Sequence, residues 1–182
     1  MIFPRNEYLF IGGQNGVKIY DVSSPLSPVE VSEFDHARSC DPVVANDDFA
    51  FSTLRGGSLC GGELNELDIV RITDIKNPKL CRIRDLQNPY GLSLSAHDDQ
   101  TIYVCDGWAG LKVFDLYNLP HPDRPLNTSP LELINQIDGG YEALDVISTE
   151  NKELIVLTRQ GIFMYDATDR LNLVEKSLIS VN

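Results

Sequence analysis

Hydrophobic residues in this chain fall in short runs that alternate with polar ones at a period of two, the pattern of strands with one face in a core. Helical spacing is nowhere sustained long enough to compete. Four segments share one design: a β-rich run, a Gly-containing turn, and a second β-rich run ending in Asp. Tyr8-Leu9-Phe10-Ile11 leads to Gly16 through Asp21, and Phe49-Ala50-Phe51-Ser52 leads to Leu67 through Asp74. Ile102-Tyr103-Val104-Cys105 leads to Gly110 through Asp115, and Leu154-Ile155-Val156-Leu157 to Gly161 through Asp166. Only the second segment carries a long insertion, the Gly-rich stretch around Arg55 to Gly62. A turn follows each Asp, often with Pro, and then comes another alternating strand: Val29–Phe34, Lys79–Ile83, Leu131–Ile134 and Leu173–Leu178. One further short run precedes each later pair: Pro42–Ala45, Gly91–Leu94 and Asp145–Ser148.

Four short strands repeating every roughly 40–50 residues are the signature of a β-propeller blade. The predicted fold is therefore all-β, a propeller of four-stranded antiparallel blades. It forms a single domain over 1–182, with blade units at about 1–35, 40–84, 89–137 and 141–180. With strands lettered a to d from the axis outward, the chain opens inside strand a, so the first blade is expected to be incomplete. Propellers use about four to eight blades, and an uncovered apolar blade edge invites aggregation. The pattern thus favours part of a larger propeller over a four-bladed ring with a clipped strand, and marks the open edge as a route to self-association.

Composition narrows the partners. With 15 Lys and Arg against 27 Asp and Glu, the net charge is −12, which excludes the basic surface that nucleic-acid binding needs. Hydrophobic residues at 42% and charged ones at 23% exclude compositional disorder and provide for a packed core. No apolar run approaches the roughly 20 residues of a membrane-spanning helix. The N-terminal Met1 to Glu7 lacks the charged-then-apolar pattern of a secretion signal.

At Val17-Lys18-Ile19-Tyr20-Asp21-Val22-Ser23-Ser24-Pro25 and Ile72-Thr73-Asp74-Ile75-Lys76-Asn77-Pro78, the sequence resembles the LVIVD-repeat proteins of bacterial cell surfaces, whose units read as a strand ending in Asp followed by a small-residue and Pro turn. Ser39 to Val44, Thr53 to Gly62 and Asn88 to Leu92 look like a recurring part of the envelope members. The resemblance implies an extracytoplasmic propeller, commonly a lipoprotein, in the periplasm or on the outer surface. The signal or anchor is then expected upstream of this chain.

In a propeller the d-to-a and b-to-c loops share one face around the axis. The strand register puts Asp41, Tyr90 and Asp145 at the starts of three a strands, with Arg55, Asp106, Trp108 and Arg159 on or beside b-to-c turns. Carboxylates, guanidiniums and aromatics gathered at a channel mouth suit a small ligand, peptide, glycan or protein partner. The plainer expectation is that Asp41 and Asp145 cap turns and pair with Arg55 and Arg159. No Asp-x-Asp-x-Asp loop is present, so neither a metal nor another cofactor is expected. The main functional expectation is a non-enzymatic binding or scaffolding propeller. The alternative is a hydrolase or lyase with Asp41 or Asp145 as general base and Arg55 or Arg159 facing developing negative charge.

The remaining chemistry-bearing residues are expected to be structural. The repeated Asp21, Asp74, Asp115 and Asp166 stand before turns, where Asp accepts from the backbone N–H two residues on. Cys40 and Cys60, at adjoining ends of strands a and b, are a disulfide candidate suited to an oxidising compartment. Cys81 and Cys105 fall within strands as small buried hydrophobes. His36, His97 and His121 lie in separate turns. Asn127-Thr128-Ser129 matches a glycosylation sequon, and the Pro-rich connection Tyr117 to Pro130 is either a rigid spacer or a docking loop.

Overall fold

The computed structural model describes residues 2–13, 15–35, 42–57, 62–98, 100–119 and 131–180. Sixteen strands and no helix occur among them. Ile2–Arg5 (β1), Tyr8–Gly12 (β2), Gly16–Asp21 (β3) and Val29–Asp35 (β4) form one antiparallel sheet in sequence order. Val43–Ala45 (β5), Phe49–Leu54 (β6), Glu66–Arg71 (β7) and Lys79–Asp85 (β8) form the second. Leu92–Leu94 (β9), Thr101–Cys105 (β10), Leu111–Asp115 (β11) and Glu132–Ile137 (β12) form the third. Ala143–Ser148 (β13), Glu153–Thr158 (β14), Gly161–Asp166 (β15) and Val174–Ser180 (β16) form the fourth. Four four-stranded meanders of this kind are propeller blades, as the repeats predict. The strand expected to be clipped is β1, which pairs along its whole length with β2.

The strands divide into two compact units, Met1–Leu86 and Gln87–Asn182, each of two sheets. In the first, β1 and β2 pack against β5, and Phe10, Val17, Ile19 and Phe34 of one sheet meet Val43, Ala45, Ala50 and Val70 of the next. In the second, β9 and β10 pack against β13. There Tyr103, Cys105, Leu111 and Val113 meet Val146, Leu154, Val156 and Tyr165. Each large apolar side chain so buried stabilises its unit by about 1.5–3 kcal/mol. The outermost strands β4, β8, β12 and β16 are mostly exposed, which explains their mixed polar sequences.

Two features of register escape the sequence pattern. In every sheet the third and fourth strands slip by one residue at the same place, between Ile19 and Tyr20, Ile69 and Val70, Val113 and Phe114, and Met164 and Tyr165. Such a bulge bends and twists the outer strand. The second feature corrects the repeat. The first residue of each second strand faces the last residue of the third: Tyr8 with Asp21, Phe49 with Arg71, Thr101 with Asp115 and Glu153 with Asp166. Arg71, not Asp74, therefore holds the repeat position in the second sheet, and Asp74 lies in the following turn.

The backbone bonds explain the repeated acids. Asp21 accepts from the Ser23 N–H at 2.8 Å, Asp115 from Tyr117 at 3.3 Å and Asp166 from Thr168 at 2.8 Å. Asp74 makes the same bond to Lys76 at 3.2 Å one turn position later, as Asp169 does to Leu171 at 2.9 Å. Cys105 is fully buried, as expected, but Cys81 is only half-buried, because it is the extra residue of the bulge on the outer strand β8. Its thiol donates to the Ile69 carbonyl at 3.1 Å.

Candidate functional site

Tyr90, Asp106, Trp108, Asp145 and Arg159 all fall in the second unit, at the ends of strands the register assigns them, and Arg55 follows β6 in the first unit. Asp41 and the Cys40/Cys60 pair lie outside the described residues, as do His36, His121, the Asn127-Thr128-Ser129 sequon and the Pro120 to Pro130 part of the long connection. His97 sits in the turn after β9, with Ser95 and Asp98.

The turn joining β10 to β11 is locked from several sides. Gly107 and Gly110 adopt positive φ angles of 58° and 78°, which glycine takes without the Cβ penalty. The turn closes through Asp106 N–H to the Gly110 carbonyl at 2.9 Å and Gly110 N–H to the Gly107 carbonyl at 3.1 Å. The Asp106 side chain is fully buried. It accepts from the backbone N–H groups of Gln87, at 2.9 Å, and Asn88, at 2.7 Å, and its other charge partner is Lys112. Asp106 is thus filled by structural partners, with no exposed side-chain surface. What the locked turn presents is Trp108, a residue 62% exposed.

Gly107 also pairs antiparallel with Ala143, and the Ala143 N–H donates to the Gly107 carbonyl at 2.9 Å. Next to Ala143 stands Glu142, a residue the sequence pattern did not single out. Glu142 is the hub of the cluster. One carboxylate oxygen accepts from the Tyr90 hydroxyl at 2.9 Å and the other from Arg159 Nε at 2.9 Å. Arg159 therefore pairs with Glu142, not with Asp145 as expected, because the β14–β15 turn lays its backbone beside Glu142: its N–H donates to the Glu142 carbonyl at 3.3 Å. Glu142 raises the Arg159 pKa still further, through the hydrogen bond first and charge second, so the guanidinium is a fixed cation with most of its surface in solvent.

Asp145 stands apart from the pair. It sits at the register shift of β13 against β14, and its carboxylate accepts from the Val146 N–H at 2.9 Å. Burial pushes its pKa up, and the backbone hydrogen bond opposes this only in part. Gly91 makes room for it: a Cβ at residue 91 would stand 1.9 Å from Asp145 Oδ1. Among the described residues, no three His, Cys, Asp or Glu side chains converge in a way that would hold a metal ion.

The fold and this face define a propeller-type protein built of short repeated blades, with a polar-aromatic cluster on the loops of its second unit. Residues 5–36 match the LVIVD repeat, so the resemblance read from the sequence holds for the first blade. No curated protein matches the sequence. A functionally unknown protein from Desulfotomaculum acetoxidans DSM 771 has a similar solved structure, with a TM-score of 0.66 at 13% identity, covering 97% of this chain and 53% of that one. Apo AztD from Citrobacter koseri is similar with a TM-score of 0.62 at 12% identity, covering 98% of this chain and 47% of that one. The chain thus spans about half the length of either, and the likeness is one of fold.

Proposed function

We propose that this protein is a non-enzymatic binding propeller of the bacterial cell envelope that captures an acidic glycan or peptide on the face carrying Trp108, Glu142 and Arg159. The observation that carries this is an exposed indole on a rigid turn that is bridged at Gly107 to Ala143, the neighbour of the carboxylate that orients Arg159. A preorganised aromatic and cation lose little freedom on binding, which favours recognition of a flat group that bears a carboxylate. The LVIVD repeat at residues 5–36 supports the envelope assignment, because the resembled proteins are of the cell surface. In the second unit, Asp106 is closed off by Lys112 and backbone donors, which leaves Asp145 as the carboxylate for the hydrolase or lyase alternative.

Trp108 is the chain's single tryptophan, so its emission reports directly on this face. Titration with oligogalacturonate and with a Glu-rich peptide should give a saturable emission change with one of them, and Arg159→Ala should abolish it. No change with either probe would overturn the proposal. Cleavage of a bound probe, seen by mass spectrometry and lost in Asp145→Asn, would establish the enzymatic alternative instead.

A further inference from the structure

Each unit contains the same joint between its two sheets, and an arginine fills only one of the two. In the second unit the turn from β15 to β16 reaches onto the third sheet, where the Asn135 amide donates to the Arg170 carbonyl at 3.4 Å. The Arg170 guanidinium then donates through Nη1 to the Gln100 carbonyl at 3.1 Å, Thr101 Oγ1 at 3.1 Å and Asp115 Oδ1 at 2.9 Å. In the first unit the turn from β7 to β8 reaches onto the first sheet in the same way, with the Ser32 hydroxyl donating to the Ile75 carbonyl. Ile75 and Arg170 hold one position, each four residues beyond the end of its third strand at Arg71 or Asp166. Ser32 and Asn135 also correspond, facing Ile19 and Val113. An isoleucine can make none of the bonds of Arg170.

The first unit nevertheless keeps acceptors for a guanidinium. Tyr8 pairs with Asp21 as Thr101 pairs with Asp115. The Glu7 carbonyl takes the Val22 N–H at 2.8 Å, as the Gln100 carbonyl takes that of Leu116 at 2.7 Å. Asp21 accepts from Ser23 as Asp115 does from Tyr117, and among the described residues Ser23 is its sole partner. Between Tyr8 and Ile75 lies a cleft of about 280 Å³, lined also by the buried Phe10 and Ile72. Among the described residues its one lining cation is Arg5, which Asp47 balances at 2.9 Å. Tyr8, standing where the second unit has Thr101, adds an aromatic ring, whose face attracts a cation.

We propose that this cleft binds an arginine side chain of a peptide or protein partner, its guanidinium taking the place that Arg170 fills in the second unit. Guanidinium-to-carboxylate bonds are roughly twice as strong as neutral ones. The net charge of −12 also draws a basic partner toward the chain. The site uses no residue of the Trp108 face.

Amide-resolved NMR titration of the full chain with N-acetyl-argininamide tests this, with N-acetyl-citrullinamide as the uncharged control of the same shape. The arginine probe should give saturable shifts at Tyr8, Asp21, Ser23 and Thr73, and the control should bind at least about tenfold more weakly. Ile75→Arg should place the chain's own guanidinium in the cleft and abolish binding of the probe. Asp21→Asn should weaken it about tenfold or more, and it serves alone should the Ile75 change prevent folding. No binding, equal binding of both probes, or undiminished binding in Asp21→Asn or in folded Ile75→Arg would each overturn the proposal.

Discussion

Asp21 and Arg71 occupy the same position in neighbouring sheets: each ends a third strand and faces the first residue of the second, Tyr8 and Phe49 respectively. Asp21 uses that place to accept the Ser23 N–H, a bond Arg71 cannot accept, and Asp74 takes over turn closure through Lys76 and Asn77 three residues later. The acids mark turn chemistry and not a catalytic repeat. Hydrogen bonds to the side-chain and backbone donors of the turn hold Asp21, Asp74 and Asp166 below the usual carboxylate pKa.

A pH dependence follows from that sign. A carboxylate with a folded-state pKa below its unfolded value contributes stability that is fully present above the unfolded pKa and lost as pH falls through the folded one. Melting temperature should therefore decline as pH drops below about 4. The decline should be shallower in Asp21→Asn with Asp166→Asn, measured by circular dichroism over a pH series.

Lys112 is the charge that permits Asp106 to be buried. Removing one partner of a buried pair leaves the other uncompensated, at a cost of about 3–5 kcal/mol. Lys112→Met should therefore lose stability of that order in urea unfolding. Because Asp106 anchors the turn that carries Trp108, indole emission should also become more solvent-like before global unfolding.

The sheets were legible in the sequence because the inner strands bury at least one face, and a period of two can hardly be mistaken where Val, Ile and Phe alternate with Lys, Ser and Asp. Register was less legible. Asp74 matched the repeat by composition, yet the pairing of Phe49 with Arg71 depends on where the inserted loop returns, which no local pattern encodes. The bulges add one residue to exposed strands, where no apolar alternation marks the slip. Tyr90, Trp108 and Arg159 are named from their turn positions, whereas Glu142, which bonds to Tyr90 and Arg159, is one acid among many in the sequence. Its signal was present: it stands just before β13, directly after Gly139-Gly140-Tyr141. Lys112 was not readable: the equivalent lysine of the first sheet, Lys18, faces solvent and pairs with Glu30, so only the tertiary packing around Asp106 distinguishes the two.

Gly91 and Asp145 are matched in size, and a side chain at 91 collides with more than a flexible carboxylate. The added Cβ would also stand 2.8 Å from the Asp145 Cα, so the two first strands of the unit must part. Gly91→Ala should cost about 1–3 kcal/mol, the range for overpacking, as read from chemical denaturation. Asp145→Asn should act oppositely. Burial raises the Asp145 pKa, so its charged form burdens the folded state at neutral pH, and that burden lifts as pH falls through the raised value. The amide should stabilise slightly at pH 7, and the gain should vanish in acid.

Arg159 separates binding from stability more cleanly than any other residue of the site. Its guanidinium is mostly solvated, and exposed pairs of this kind are worth about 0–1 kcal/mol, so Arg159→Ala should leave the unfolding midpoint nearly unchanged. Glu142 is different, because it also accepts from Tyr90 and is mostly shielded from solvent. Glu142→Ala leaves a hydroxyl and a guanidinium without their shared acceptor and should cost about 1–3 kcal/mol. If the face recognises a carboxylate, Arg159→Ala removes the cation and Arg159→Lys keeps the charge but loses the planar fork that grips both oxygens. Titration of the Trp108 signal should then show capture abolished in the alanine variant and weakened in the lysine variant, with melting temperatures close to wild type in both. Equal loss of binding and stability would mean that Arg159 only supports the turn.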